Sequence, residues 1–289
     1  MNRLRHAAAS TTPDPLQAAL ALRAQGRPQE ALDALSIPGD FSTDAYILRG
    51  DLHFELGQVE QAAETYLTVT EENPDHVYAQ GQLGLCLYRL HLWEAAAHAF
   101  EVVLQFDPHR DEVRLQLADC LLRLKRFAAA LRCFDECWSE GSKRRALFGK
   151  AVALQLLRRL DEAEKLYERL LTIDPAAEEA LSNLIAMSME VFELARVQTY
   201  SQRLLEINSH STVALKGLAL AAIERLDYAA AAGYFHRALD LEPEIMHRPA
   251  APSEAVEYRI SRKIFDSLEE TRRKLKFKTA RASSGAQPR

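Results

Sequence analysis

At 289 residues the chain is long enough for two globular domains, and a hydrophobic content of 48% supplies a continuous core, which excludes a chain that stays unfolded as a whole. The net charge of −5 is unevenly spread. Residues 251–289 carry +5 and residues 1–250 carry −10, an acidic body that argues against nucleic-acid binding along most of the length. Cys86, Cys120, Cys133 and Cys137 all fall inside expected helices, which implies buried thiols in a reducing compartment rather than a disulfide framework. No apolar run is long enough to cross a bilayer, and Met1–Pro15 has no hydrophobic stretch of the secretory kind, so a cytoplasmic protein is expected.

Residues 1–11 read as a flexible arm. From residue 12 a pattern of small and apolar residues begins and then recurs. It places Ala19, Leu22, Gly26, Ala31 and Leu35 in phase in residues 12–42, where Ile37-Pro38-Gly39 shortens the second helix. Residues 43–76 carry Tyr46, Gly50, Gly57, Ala62, Tyr66 and Pro74 at the same spacing. Residues 77–110 show the pattern most clearly. Leu83, Gly84 and Leu87 share one face of a first helix, a break follows at Arg89–Leu92, and Trp93, Ala96, Phe100 and Val103 form the stripe of a second. Gly84 and Ala96 permit a close helix crossing, Phe100 fills the space beyond, and Pro108 ends the unit. Residues 111–143 lack the closing proline and end in Glu140-Gly141-Ser142, where Gly141 is expected to supply a left-handed helix cap. Residues 144–177 and 212–245 restore the pattern. Residues 178–211 diverge most, with Ile185, Ser188, Val197 and Ser201 at the pattern's positions. After residue 245, two prolines precede Ser253, a helix N-cap. Val256, Ile260, Ile264, Phe265 and Leu268 then make an amphipathic helix, so 246–278 is expected to be a linker and capping helix and 279–289 a disordered basic tail.

Seven units of about 34 residues in near-constant register resemble the tetratricopeptide repeat, a helix–turn–helix motif. The resemblance covers Thr12–Ile245 and implies an all-α fold, a right-handed α-solenoid of tandem repeats whose first helices line a concave groove. It further implies a non-enzymatic scaffold or adaptor that binds a protein or peptide. Two narrower forms are a dedicated chaperone or assembly factor for a secretion-system or pilus client, and a regulatory subunit of a transferase on another chain.

Arrays of this family line their groove mainly with positions 2, 5, 9, 12 and 13 of each first helix. Carried onto this sequence, those positions include Phe54, Tyr78, Leu85, Tyr88, Arg89, Leu115, Asp119, Leu122, Arg123, Arg145 and Phe148. Aromatic and arginine side chains are the usual anchors of an interface, so the expected partner offers apolar anchors and at least one acidic residue. The family's clamp for chaperone tails needs Lys and Asn where units two to four have Ile47/Asp51, Gly81/Leu85 and Leu115/Asp119, which disfavours that subset.

No catalytic or cofactor motif emerges. Phe148-Gly149-Lys150 lacks the rest of a phosphate-binding loop, and Cys133 with Cys137 lacks two further zinc ligands. No cofactor, metal, small-molecule substrate or nucleic acid is therefore expected. The cations Arg272, Arg273, Lys274, Lys276, Lys278 and Arg281 are expected to be a solvated end, with contact to an anionic membrane as the alternative.

Overall fold

The computed structural model describes residues 14–35 and 42–241; the expected arm, capping helix and basic tail lie outside the described residues. Among the described residues are fourteen α-helices and no strand. They pair as α1 (Pro15–Ala24) with α2 (Pro28–Ala34), α3 (Thr43–Glu55) with α4 (Val59–Glu72), and α5 (Val77–Arg89) with α6 (Trp93–Phe106). The pairs continue as α7 (Asp111–Arg123) with α8 (Phe127–Asp135), α9 (Glu140–Leu156) with α10 (Leu160–Ile173), α11 (Glu178–Glu190) with α12 (Leu194–Ile207), and α13 (Thr212–Glu224) with α14 (Tyr228–Leu241). These residues fall into two compact units, one ending at residue 108 and the other beginning at residue 109.

Each pair is closed by the same turn. Its central residue adopts a left-handed backbone, with φ of 72° and 73° at Gly26 and Gly57 and between 58° and 63° at His91, Lys125, Arg158, Phe192 and Leu226. In the third pair the His91 N–H reaches the Tyr88 carbonyl at 3.1 Å and the Leu92 N–H reaches the Leu87 carbonyl at 2.9 Å. That is the Schellman pattern, which satisfies the last carbonyls of the first helix. Glycine accepts this conformation freely, whereas other residues hold it at a cost of about 1–2 kcal/mol. The surrounding helix pair therefore imposes the turn in five of the seven repeats.

Helix crossings depend on small residues facing large ones. A Cβ on Gly84 would lie 2.6 Å from the Phe100 ring, and one on Gly50 would lie 2.7 Å from Tyr66. Phe100, Tyr66 and Tyr167 are fully buried, and each contributes on the order of 1.5–3 kcal/mol of transfer free energy. The divergent sixth pair inverts the sizes. Ile185 and Ser201, both buried, stand where the third pair has Gly84 and Phe100, and a Cβ on Gly217 of α13 would meet both.

The fourth pair departs from expectation. α8 has only 9 residues where the other full second helices have 14, and α9 has 17 where the first helices of the other pairs after the first have 13. Gly141 does not cap α8; it lies in the first turn of α9, and Cys137 sits in the link rather than in a helix. The cause is Asp111, the first residue of α7. Its buried carboxylate accepts from the backbone N–H of Trp138 at 2.9 Å and of Ser139 at 2.6 Å, and from the Ser142 hydroxyl at 2.8 Å. Burial alone would raise the Asp111 pKa, but the bonds from Ser139, Ser142 and Trp138 more than offset it and hold it at about 2. A tertiary cap from 28 residues away replaces the missing proline.

Candidate protein-interaction face

The residues expected to line one groove divide between the two units, and each unit presents its own set. In the first unit, α3 supplies Asp51, Phe54 and Glu55, and α5 supplies Tyr78, Leu85, Tyr88 and Arg89. Asp51 is the hub. It accepts from the Tyr66 hydroxyl at 2.5 Å and the Tyr78 hydroxyl at 2.9 Å, and pairs with Arg23 at 3.4 Å. Arg23 also donates to Glu55, at 2.9 Å from Nε. Burial, and then the bond to Asp51, push both tyrosines above their ordinary pKa, so they remain neutral donors at physiological pH. The Arg89 guanidinium carbon sits 4.1 Å from the centre of the Phe54 ring, a cation–π contact of the kind worth about 0.5–1 kcal/mol when exposed. Tyr88 is half-buried and packs edge-on against Trp93, with ring centres 5.0 Å apart, so its ring serves the helix pair. Leu85 is half-buried, and Tyr78 is exposed.

In the second unit, α7 and α9 carry the remaining expected residues. Leu115 does not face solvent: it is 4% exposed and belongs to the core, because α7 turns that position inward to pack. Asp119 and Leu122 are half-buried and Arg123 is exposed. Arg145 pairs with Glu112 at 2.6 Å, a surface contact of little net worth. Phe148 lies edge-on to Tyr167, ring centres 6.0 Å apart. The buried Tyr167 hydroxyl donates to Gln155 at 2.9 Å and accepts from the Asn183 amide at 3.0 Å; burial raises its pKa. Above this network, Arg144, Phe148, Ala176, Glu178, Glu179, Ser182 and Asn183 line an open cleft of about 720 Å³ shared by α9 and α11.

The first helices of repeats five to seven also carry an apolar stripe. Val152 and Leu156 on α9, Ala186 and Met189 on α11, and Leu220 and Ile223 on α13 occupy positions 9 and 12 or 13 of their repeats, all half-buried or exposed. All six are groove positions by register, although Ala186, Leu220 and Ile223 are not among the residues named for the groove above. The signal was present, since reading positions 9 and 12 through the last two units returns all three. Asn183 and Ser182, by contrast, become notable only through the cleft.

All four cysteines are free thiols. Cys86 and Cys120 are buried, and burial pushes each to about 12. Among the described residues no three His, Cys, Asp or Glu side chains are grouped to hold a metal ion, and no helix is long and apolar enough to cross a membrane.

Models of the tetratricopeptide repeat match residues 47–111, 89–146 and 145–176. Residues 47–176 therefore belong to the tetratricopeptide repeat family, and the helix pairs on either side share the same build. Solved structures share the fold at low identity. The C-terminal part of a tetratricopeptide repeat-containing protein from Cytophaga hutchinsonii is 14% identical, with a TM-score of 0.65 over 80% of this chain and 96% of that one. PilW, a type IV pilus biogenesis factor, is 16% identical, with a TM-score of 0.59 over 72% of this chain and 97% of its own. The Pseudomonas aeruginosa protein pilF is 17% identical, with a TM-score of 0.56 over 75% and 95%. None of the curated proteins compared with the chain matches it.

Proposed function

We propose that the protein is a non-enzymatic interaction scaffold that seats a partner segment along the first helices of repeats five to seven. The observation that carries this reading is the apolar stripe from Val152 to Ile223, half-buried or exposed on three successive first helices beside a cleft with polar walls. An apolar band with a polar border is the anatomy of a protein-binding surface. Helical spacing of Ala186, Met189 and Ser182 suits an amphipathic helix or an extended segment with apolar anchors. The groups with strongly shifted pKa, Asp111, Tyr66, Tyr167, Tyr200 and the thiols of Cys86, Cys120 and Cys137, are each accounted for by packing, capping or a hydrogen bond within the helix stack, which fits a scaffold better than a catalyst. The free thiols support a reducing, cytoplasmic location. An assembly factor for a pilus or secretion client is a narrower form of this reading, supported only by the fold shared with PilW, a pilus biogenesis factor.

The test is affinity capture with quantitative mass spectrometry, comparing the wild type with Met189→Glu/Ile223→Glu. Two carboxylates in the stripe are expected to remove the specific partner while leaving helicity and melting unchanged. Equal capture by a folded double variant overturns the placement.

A further inference from the structure

We infer that Arg89, held over the Phe54 ring in the first unit, is the receptor for an acidic side chain of a partner peptide. This rests on the reading of the protein as an interaction scaffold and adds a second site to it, since the stripe proposed above lies in the other unit. Arg89 is exposed, and its guanidinium carbon lies 4.1 Å from the ring centre of Phe54. Stacking over a ring leaves the in-plane N–H donors of a guanidinium pointing outward, in the fork that matches a carboxylate.

The acids on this face are already engaged. Glu55 accepts from Arg23, and Asp51 accepts from Tyr66, Tyr78 and Arg23. Among the described residues, Arg89 makes no ion pair, whereas Arg23 and Arg27 of the same unit each do. The charge of Arg89 is therefore ordered by an aromatic partner and not neutralised by an anionic one. Such a group is prepared to bind an anion from outside the chain. The ring also takes from the ligand part of the cost of fixing a long side chain. A side-chain carboxylate fits better than a free anion, because the surrounding half-buried Leu85 and Phe54 offer apolar contact to the segment that carries it. The receptor is distinct from the family's chaperone-tail clamp, whose positions here hold Gly81 and Leu85.

The experiment pans a random dodecapeptide library against the full-length protein and measures the affinities of the selected peptides. The expected result is a fixed Asp or Glu in the selected sequences. Its change to Asn or Gln should weaken binding about tenfold or more. Against Arg89→Glu that same change should no longer weaken binding and should improve it, because it removes a like-charge contact. Phe54→Leu should weaken the acidic peptide several-fold and leave its Gln form unaltered, a difference that general loosening of the face cannot produce. Selected peptides that lack a fixed acid, or that bind Arg89→Glu as well as wild type, overturn the inference while the interaction reading stands. A panning that selects no peptide overturns both.

Discussion

Gly84 shows how much one absent side chain decides. The third helix pair closes because Phe100 occupies the space a Cβ would need, at 2.6 Å. Gly84→Ala should therefore force the ring aside at a cost of about 1–3 kcal/mol, against about 1 kcal/mol gained in helix propensity. A lower denaturant midpoint at unchanged helicity is the expected reading; a more stable variant would show that the ring has room to shift. This pairing was legible from the sequence, because a small residue sixteen positions before an aromatic recurs at Gly50/Tyr66 and Gly84/Phe100. The burial of Leu115 was not, because groove positions were carried over by register and register does not say how far a given first helix rotates. The inverted pair Ile185 and Ser201 was legible only as divergence, since its logic lies in Gly217, supplied by the following helix.

Between α8 and α9 the sequence misleads for a different reason. Glu140-Gly141-Ser142 has the local look of a helix end, but the stop comes earlier, at a link drawn onto Asp111. A cap taken from another helix leaves no local trace, and the sign is an Asp opening α7 in a unit that, like the sixth, lacks a closing proline. The carboxylate's pKa is depressed in the folded state, from an ordinary 3.8 to about 2. Its contribution is therefore present above about pH 4 and lost as the pH falls through about 2. Asp111→Asn keeps an acceptor but loses the charge, and should cost about 1–3 kcal/mol near neutrality. Wild type and variant should converge in melting temperature as the pH is lowered from 4 to 2. A constant gap across that range would remove the charge from the account.

For the molecule as a whole, stability should follow from neighbouring repeats more than from any single centre. The second unit holds four helix pairs, more than the three repeats such arrays usually need. Residues 109–241 expressed alone are expected to give a helical circular-dichroism spectrum and a cooperative melt; a featureless melt would make the unit dependent on the rest of the chain. The left-handed turns also give this unit a built-in scale. Lys125, Arg158, Phe192 and Leu226 recur every 33 or 34 residues, each with its backbone turned out at the end of a first helix. Phe192 and Leu226 are 79% and 71% exposed, so a spin label at these rungs disturbs no core. Distances between labelled rungs would read the curvature of the stack as a ruler reads a bow, before and after a partner is seated.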